Sequence, residues 1–278
     1  MTDKLSMKFK AHQSFFIRKG WLSKGLKAVK KTPAIFMPSN SKFAMDELGI
    51  GSNQVAAMRY WLETTGLIQK RIKTHELLEL GKVILKYDPY MEEMGTLWAL
   101  HCNIASNRDN ATAWYYLFNI YGGNNFSRES FTRGIDKYIH AEGDGKEIAQ
   151  SSIESDLSCI VNTYVPHEVL TGKRESPENV IDSPLGELKL IAVEGKGSNR
   201  QYRKMPAVPL MLPNDMILYA ISEMDEAKEE LKIESLLNAP CSPGRLFNLD
   251  SISLLTKLYE LQDSGKVHIT RTAGLDVV

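Results

Sequence analysis

Cysteine is scarce. Cys102, Cys159 and Cys241 are the only three, far apart and odd in number, which excludes a disulfide framework or a zinc cluster and makes a reducing cytosol the expected setting. Long apolar runs are absent too, and none approaches the roughly 20 residues a membrane span needs. The N-terminal lysines are followed by no continuous apolar core, so no secretory signal is expected. There is no low-complexity segment. Three catalytic signatures are missing: a glycine-rich phosphate loop, a Gly-x-Ser-x-Gly elbow and a His-Glu-x-x-His helix. Net charge is also missing, because 34 lysines and arginines meet 34 acids.

What is present suits a folded, mostly helical protein. The chain has 278 residues, 43% of them hydrophobic, enough for a real core and for two or three small domains. The neutral total hides a split. Residues 1–73 carry 14 basic residues and 4 acids, a net of +10, and the rest carries 20 against 30, a net of −10. A positive end can bind phosphate while an acidic end is repelled by it. The plainer alternative is that the two ends attract each other, or an acidic partner.

Residues 43–68, FAMDELGIGSNQVAAMRYWLETTGLI, spell a helix-turn-helix. A short helix is predicted over Ala44–Leu48, with a turn at Gly49-Ile50-Gly51. Ser52 is placed to cap a second helix, and Gly66 to end it. Val55, Met58 and Leu62 make its apolar face. Asn53, Gln54, Ala57 and Tyr60 then fall on the open face, where Asn and Gln suit adenine in a major groove. Leu67-Ile68 begin a wing. The predicted DNA contacts are Lys19, Asn53, Gln54, Arg59, Tyr60, Lys70 and Arg71. Two short helices about a glycine turn also occur in folds that never meet nucleic acid.

Further along, a helix is predicted over 74–86 with Leu77, Leu78, Val83 and Leu85 buried, then a long apolar helix over 92–105 and an aromatic one over 112–121. Helices over 127–139 and 151–164 form a second helix-turn-helix-like unit, with Glu154 and Asp156 on its open face. Residues 165–182 read as a linker. The segments 188–193 and 201–205 read as a hairpin, 213–222 as a helix, 225–232 as a solvated helix face, 240–244 as a turn and 247–249 as a strand. A helix capped by Asp250 and a strand over 267–269 follow. The expected fold is mainly α, with two or three winged-helix-like units around a helical core and short β wings. Its regions are a basic N-terminal 1–73, a helical middle 74–165 and an α+β C-terminal 166–278.

Signals of chemistry are thin. His12 with Arg18 and Lys24 is the best catalytic group, since a histidine moves protons and cations stabilise a pentavalent phosphate. The aromatics around them, Phe9, Phe15, Phe16 and Trp21, suit either base stacking or core. Glu187-Leu188-Lys189 mimics a nuclease Glu-x-Lys, with Asp182 upstream. Asp88, Glu92 and Glu93 offer oxygen ligands, but the last two point apart on a helix. His101, on an apolar helix, reads as a core histidine. No metal ligands are identified.

Several stretches in order resemble one bacterial family, the uncharacterised-domain family found beside sulfur-transfer genes in DNA phosphorothioate modification loci. They are FKAHQSFFIRKGWLSKG at 9–25 with the preceding lysine, LGIGSNQVAAMRYWLETTGLI at 48–68, DPYMEEMGTLWALHCNIAS at 88–106, ATAWYYLFN at 111–119, SSIESDLSCIVNTYV at 151–165, SPLGELKLI at 183–191, and PGRLFNLD and TAGLDVV towards the end. The family pattern Gly-His-Glu-Thr/Ser-Phe stands here as Ala11-His12-Gln13-Ser14-Phe15, and an amide at 13 cannot take a proton or hold a cation strongly. The resemblance implies a cytoplasmic protein that binds double-stranded DNA and nicks one strand for sulfur insertion. It implies Mg2+ or Mn2+ as cofactor, and a sulfurtransferase, a cysteine desulfurase and an ATPase as partner subunits, with no membrane. The alternatives are a winged-helix transcription regulator without catalytic activity and an adaptor without a DNA role.

Overall fold

The computed structural model describes residues 6–166, 182–195, 197–224, 230–272 and 275–277. The predicted linker over 165–182 and the charged run at 225–229 therefore lie almost wholly outside the described residues.

Among the described residues the chain is mainly helical, with three small antiparallel sheets. Helix α1 (Trp21–Lys31) is sharply two-sided. Trp21, Leu22, Leu26 and Val29 are buried, while Lys24, Lys27, Lys30 and Lys31 follow the opposite face. Gly25 lets α1 approach its neighbour closely, since a Cβ there would stand 2.6 Å from the Leu62 Cδ1. Helices α2 (Ser41–Leu48) and α3 (Ser52–Thr64) are joined by Gly49, whose left-handed φ of 59° ends α2. Two details differ from the sequence expectation. Helix α2 starts three residues earlier, and Ser52 is the first residue of α3 rather than its cap. Gly51 holds the cap position, and its N–H donates to the Gln54 side chain at 3.2 Å. Gly66, at φ 67°, turns the chain out of α3 as expected.

Strands β1 (Ile68–Lys70) and β2 (His75–Leu77) pair antiparallel, Lys70 opposite His75. The predicted helix over 74–86 thus loses its first turn to this hairpin and runs as α4, Glu79–Tyr87. Ile84 is buried and Val83 exposed, because the start sets which face of α4 turns inward. Helix α5 (Met94–Ser106) is apolar nearly all round and is buried, as such helices must be. Asp88 explains its start: the carboxylate accepts from the Glu92 and Glu93 N–H groups at 3.0 and 3.1 Å. Burial raises the Asp88 pKa, but the Thr96 hydroxyl and these backbone donors bring it below the ordinary value. The carboxylate weighed among oxygen ligands in the sequence works here at a helix terminus.

Helix α6 (Thr112–Tyr115) widens into a π turn over Tyr116–Ile120. The Lys204 ammonium is buried against this turn and donates to the Leu117 and Tyr121 carbonyls at 3.2 and 3.0 Å. Burial, and then Arg245, pull its pKa down to about 8. Strand β3 (Asn125–Phe126), helix α7 (Arg128–Glu142) and helix α8 (Gln150–Tyr164) follow, and Ser127 caps α7 as the sequence suggested. The predicted hairpin forms from β4 (Ile191–Glu194) and β5 (Gln201–Lys204), and β3 adds to its other edge. The chain then gives α9 (Asp215–Ser222), α10 (Ile233–Asn238), α11 (Pro243–Leu246), α12 (Ser251–Asp263), β6 (Thr270–Thr272) and β7 (Leu275–Val277). Residues 247–249 are not a strand; they cap α11, and the last hairpin begins at Thr270 rather than Val267.

Buried apolar side chains from residue 17 to residue 261 join in one core. Helix α5 is its axis. The Trp98 indole donates to the Met211 carbonyl at 2.7 Å, and the Tyr219 hydroxyl donates to Asn103 at 2.6 Å. His101 lies at the centre, fully buried. The Leu246 carbonyl can only accept, so Nε2–H donates to it at 2.8 Å and Nδ1 accepts from the Tyr164 hydroxyl at 2.8 Å. Burial lowers this imidazole to about 4 from an ordinary 6.5. It stays neutral while the unfolded chain would take a proton. Stability should therefore be lost as pH falls from 6.5 towards 4, by about 3 kcal/mol at the acid end, and be untouched by this group above 6.5. Urea unfolding across that window should show the slope, and His101→Gln should flatten it.

Candidate nucleic-acid interface

The N-terminal arm, residues 8–17, decides how much of α3 is open. It passes between α3 and the helical middle. The Lys8 N–H donates to the Thr112 hydroxyl at 3.1 Å, and the Phe15 carbonyl accepts from the Trp61 indole at 2.9 Å. Its anchor is Asp156 on α8, which takes the Lys10 N–H at 2.7 Å and the His12 Nε2–H at 2.8 Å. Lys10, Gln13 and Ser14 all have left-handed φ, 55°, 52° and 65°. Non-glycine residues adopt that conformation only where the surroundings impose it. The His12 ring stacks on Trp61, with 5.9 Å between centroids, and meets Trp114 edge-on.

This arm corrects two placements. Asp156 is not on an open acidic face: it is buried, and its carboxyl is pushed up by burial, with His12 and the Lys10 N–H pulling it part of the way back. The open face expected on α3 is mostly covered. Ala57 is buried, and the Tyr60 hydroxyl donates to the Asn110 carbonyl at 2.8 Å. Burial, then the Asp156 charge, hold that phenol well above its ordinary pKa. What remains exposed is the first turn, Ser52 and Asn53, with Gln54 half-exposed beside them.

The remaining predicted residues scatter. His12 is 1% exposed, so in this conformation its imidazole presents no edge to a phosphate. The Arg18 guanidinium sits among the rings of Phe15, Phe16 and Trp21, 5.3 to 5.8 Å from their centroids. Lys24 reaches the Leu48 carbonyl at 2.6 Å and so closes the end of α2. The structure gives each of these three a different partner. Lys19 is exposed and pairs loosely with Glu187 at 3.6 Å. That glutamate belongs to a 3-10 turn, Pro184–Leu188, so no nuclease-like Glu-x-Lys strand forms. Arg59 is half-buried, its Nε without a hydrogen-bond partner. Arg71 is committed to Glu76 across the hairpin. Lys70 is exposed.

Composition could not rank these cations, but position now does. Lys30, Lys42, Lys70 and Lys73 are exposed, and none has an ion-pair partner among the described residues. Lys42 lies on α2, Lys70 and Lys73 on the β1–β2 hairpin, and Asn53, in the first turn of α3, comes between them in sequence. Lys42 and Lys73 were missing from the sequence-derived contacts, and a lysine's exposure is not written in its neighbours. Helices α1 and α2 and the short hairpin thus carry positive charge that has no ion-pair partner among the described residues. Among the described residues no three His, Cys, Asp or Glu side chains gather as a metal site, and no helix is long and apolar enough to cross a membrane.

No curated protein matches the chain. Two solved structures do. SspB and magnesium-ion-bound SspB are each 25% identical to it, superpose with a TM-score of 0.85 and cover 99% of its length; the match takes in 84% and 83% of those chains respectively. The family model described as protein of unknown function (DUF4007) matches residues 9–278. With a single model running from the pinned arm to the last residue, the chain belongs to the DUF4007 family.

Proposed function

We propose that this chain is a DNA-binding protein of a DNA phosphorothioate modification system, nicking one strand for sulfur insertion. The single observation that carries the DNA half is the set of exposed lysines on α1, α2 and the β1–β2 hairpin that have no ion-pair partner among the described residues. In this reading α1, α2, α3 and the hairpin act as a winged helix. Lysines hold phosphates and fix register, while Asn53 and Gln54 reach base edges. The likeness to SspB, one of whose structures holds a magnesium ion, supports the modification-system half.

Mg2+ or Mn2+ belongs to the nicking reading. Among the described residues no three ligands come together, and no catalytic step is assigned through an ion. Magnesium is commonly held by one or two carboxylates together with substrate phosphates. A cytoplasmic setting, and association with a sulfurtransferase, a cysteine desulfurase and an ATPase, complete the proposal. The second reading, a winged-helix regulator without catalysis, is favoured by His12 being turned inward on Asp156.

One experiment separates the two. Supercoiled plasmid is incubated with the protein and Mg2+ or Mn2+, beside a salt titration of duplex binding. The first reading expects metal-dependent open circles together with affinity that falls steeply with salt. Salt-dependent binding with no open circles supports the regulator, and salt-independent or absent binding defeats both.

A further inference from the structure

We infer that Ile72 is an apolar wedge that enters a groove of duplex DNA from the tip of the β1–β2 hairpin. The inference rests on the DNA-binding reading above and deepens it. The Arg71 N–H donates to the Thr74 carbonyl at 2.8 Å, which leaves Ile72 and Lys73 at the turn. Tight turns favour Gly, Asn, Asp, Ser and Pro, each for a conformational reason, and a β-branched residue there has none of these advantages. Ile72 is also 92% exposed, so it gains nothing from packing within the chain. A choice that breaks the local rule with no gain inside the fold points to a task outside it.

The surroundings of Ile72 narrow that task. Lys70 and Lys73 flank it, exposed and without ion-pair partners among the described residues. An apolar side chain between cations fits a polyanion with an apolar interior, and duplex DNA has that chemistry: phosphates outside, sugar edges and base stacks within the groove. Proteins of several folds insert isoleucine, leucine or phenylalanine into such grooves. Leu210 is as exposed, at 98%, but stands between Pro209 and Met211 and lacks that charge.

The hairpin is also mounted rigidly enough to aim its tip. Leu67 and Ile68 are buried at its base. His75 is buried and lies 3.2 Å from Glu63 on α3, while its N–H donates to the Pro33 carbonyl at 2.7 Å. Arg71 and Gln69 both reach Glu76 across the strands. The tip therefore moves with α3, whose exposed first turn is the other proposed contact.

The test measures binding of a mixed-sequence duplex oligonucleotide against salt for the full chain and three variants. Ile72→Ala should bind about tenfold more weakly at each salt concentration, with an unchanged slope of log affinity against log salt. Ile72→Lys should also bind more weakly despite its added charge. Lys70→Ala with Lys73→Ala should make the slope shallower. Wild-type affinity in Ile72→Ala, or tighter binding by Ile72→Lys, overturns the wedge while a lysine effect on the slope leaves the DNA reading standing. No salt-sensitive binding by the unmodified protein removes both.

Discussion

Replacing Asp156 by alanine is expected to lower the free energy of unfolding by about 3–5 kcal/mol. The carboxylate is buried and serves two donors, the Lys10 N–H and the His12 imidazole. Its loss strands both inside the protein. His12 can hardly find a substitute, because its other nitrogen is already buried without a partner and aromatic rings of Tyr60, Trp61 and Trp114 surround it. Lys10, one of the three left-handed residues of the arm, loses the acceptor of its N–H. Urea unfolding monitored by tryptophan fluorescence checks this, with an unchanged m-value showing that only stability moved. Arg133→Ala is the contrast: its pair with Glu129 is exposed on both sides and should cost less than about 1 kcal/mol. A loss that small for Asp156→Ala would mean the arm is held by its aromatics alone. The double replacement His12→Phe with Asp156→Leu should recover most of the stability, since a buried pair removed whole leaves no orphaned charge.

The second large effect concerns binding. Changing Lys42, Lys70 and Lys73 together to alanine should weaken duplex affinity by several hundredfold near 0.1 M salt. If each lysine neutralises one phosphate, each contributes about 0.9 to the slope of log affinity on log salt. Three lost contacts then remove about 2.7 from the slope, and at tenfold below 1 M salt about 2.7 decades of affinity. All three side chains are exposed, so folding should be unaffected, and circular dichroism can confirm that. Arg71 is a poorer choice, because its guanidinium already serves Glu76. A slope identical to that of the unmodified protein would place the DNA elsewhere on the molecule, or nowhere.

The two predictions are linked through α3. The arm that Asp156 anchors packs His12 against Tyr60 and Trp61 of α3, and with Ala57 buried and Tyr60 bonded to Asn110 any readout is confined to the first turn. Asp156→Ala should loosen that packing, and hydrogen exchange at the backbone of α3 reports it.

The sequence by itself determined most of the longer helices and several of their ends, but not Trp21–Lys31, Ile233–Asn238 or Pro243–Leu246. Local chemistry decides these things: Gly49 and Gly66 end α2 and α3, Ser127 and Asp250 cap α7 and α12, and apolar spacing marks the inner faces. The sequence also placed positive charge at the front, because a sum over residues needs no coordinates. Where local signals competed, it failed. Residues 75–77 have a helical pattern, yet pair with Ile68–Lys70, since a strand partner satisfies more backbone groups than an isolated first turn. Only the tertiary structure decided which charges are free. His12 and Asp156 stand 144 residues apart and are joined by one hydrogen bond, a contact no periodicity announces. Burial follows from what packs on a surface from elsewhere in the chain, so an arginine bound to Glu76, a half-buried arginine on α3 and an unpaired lysine at a hairpin tip look alike until the fold is known.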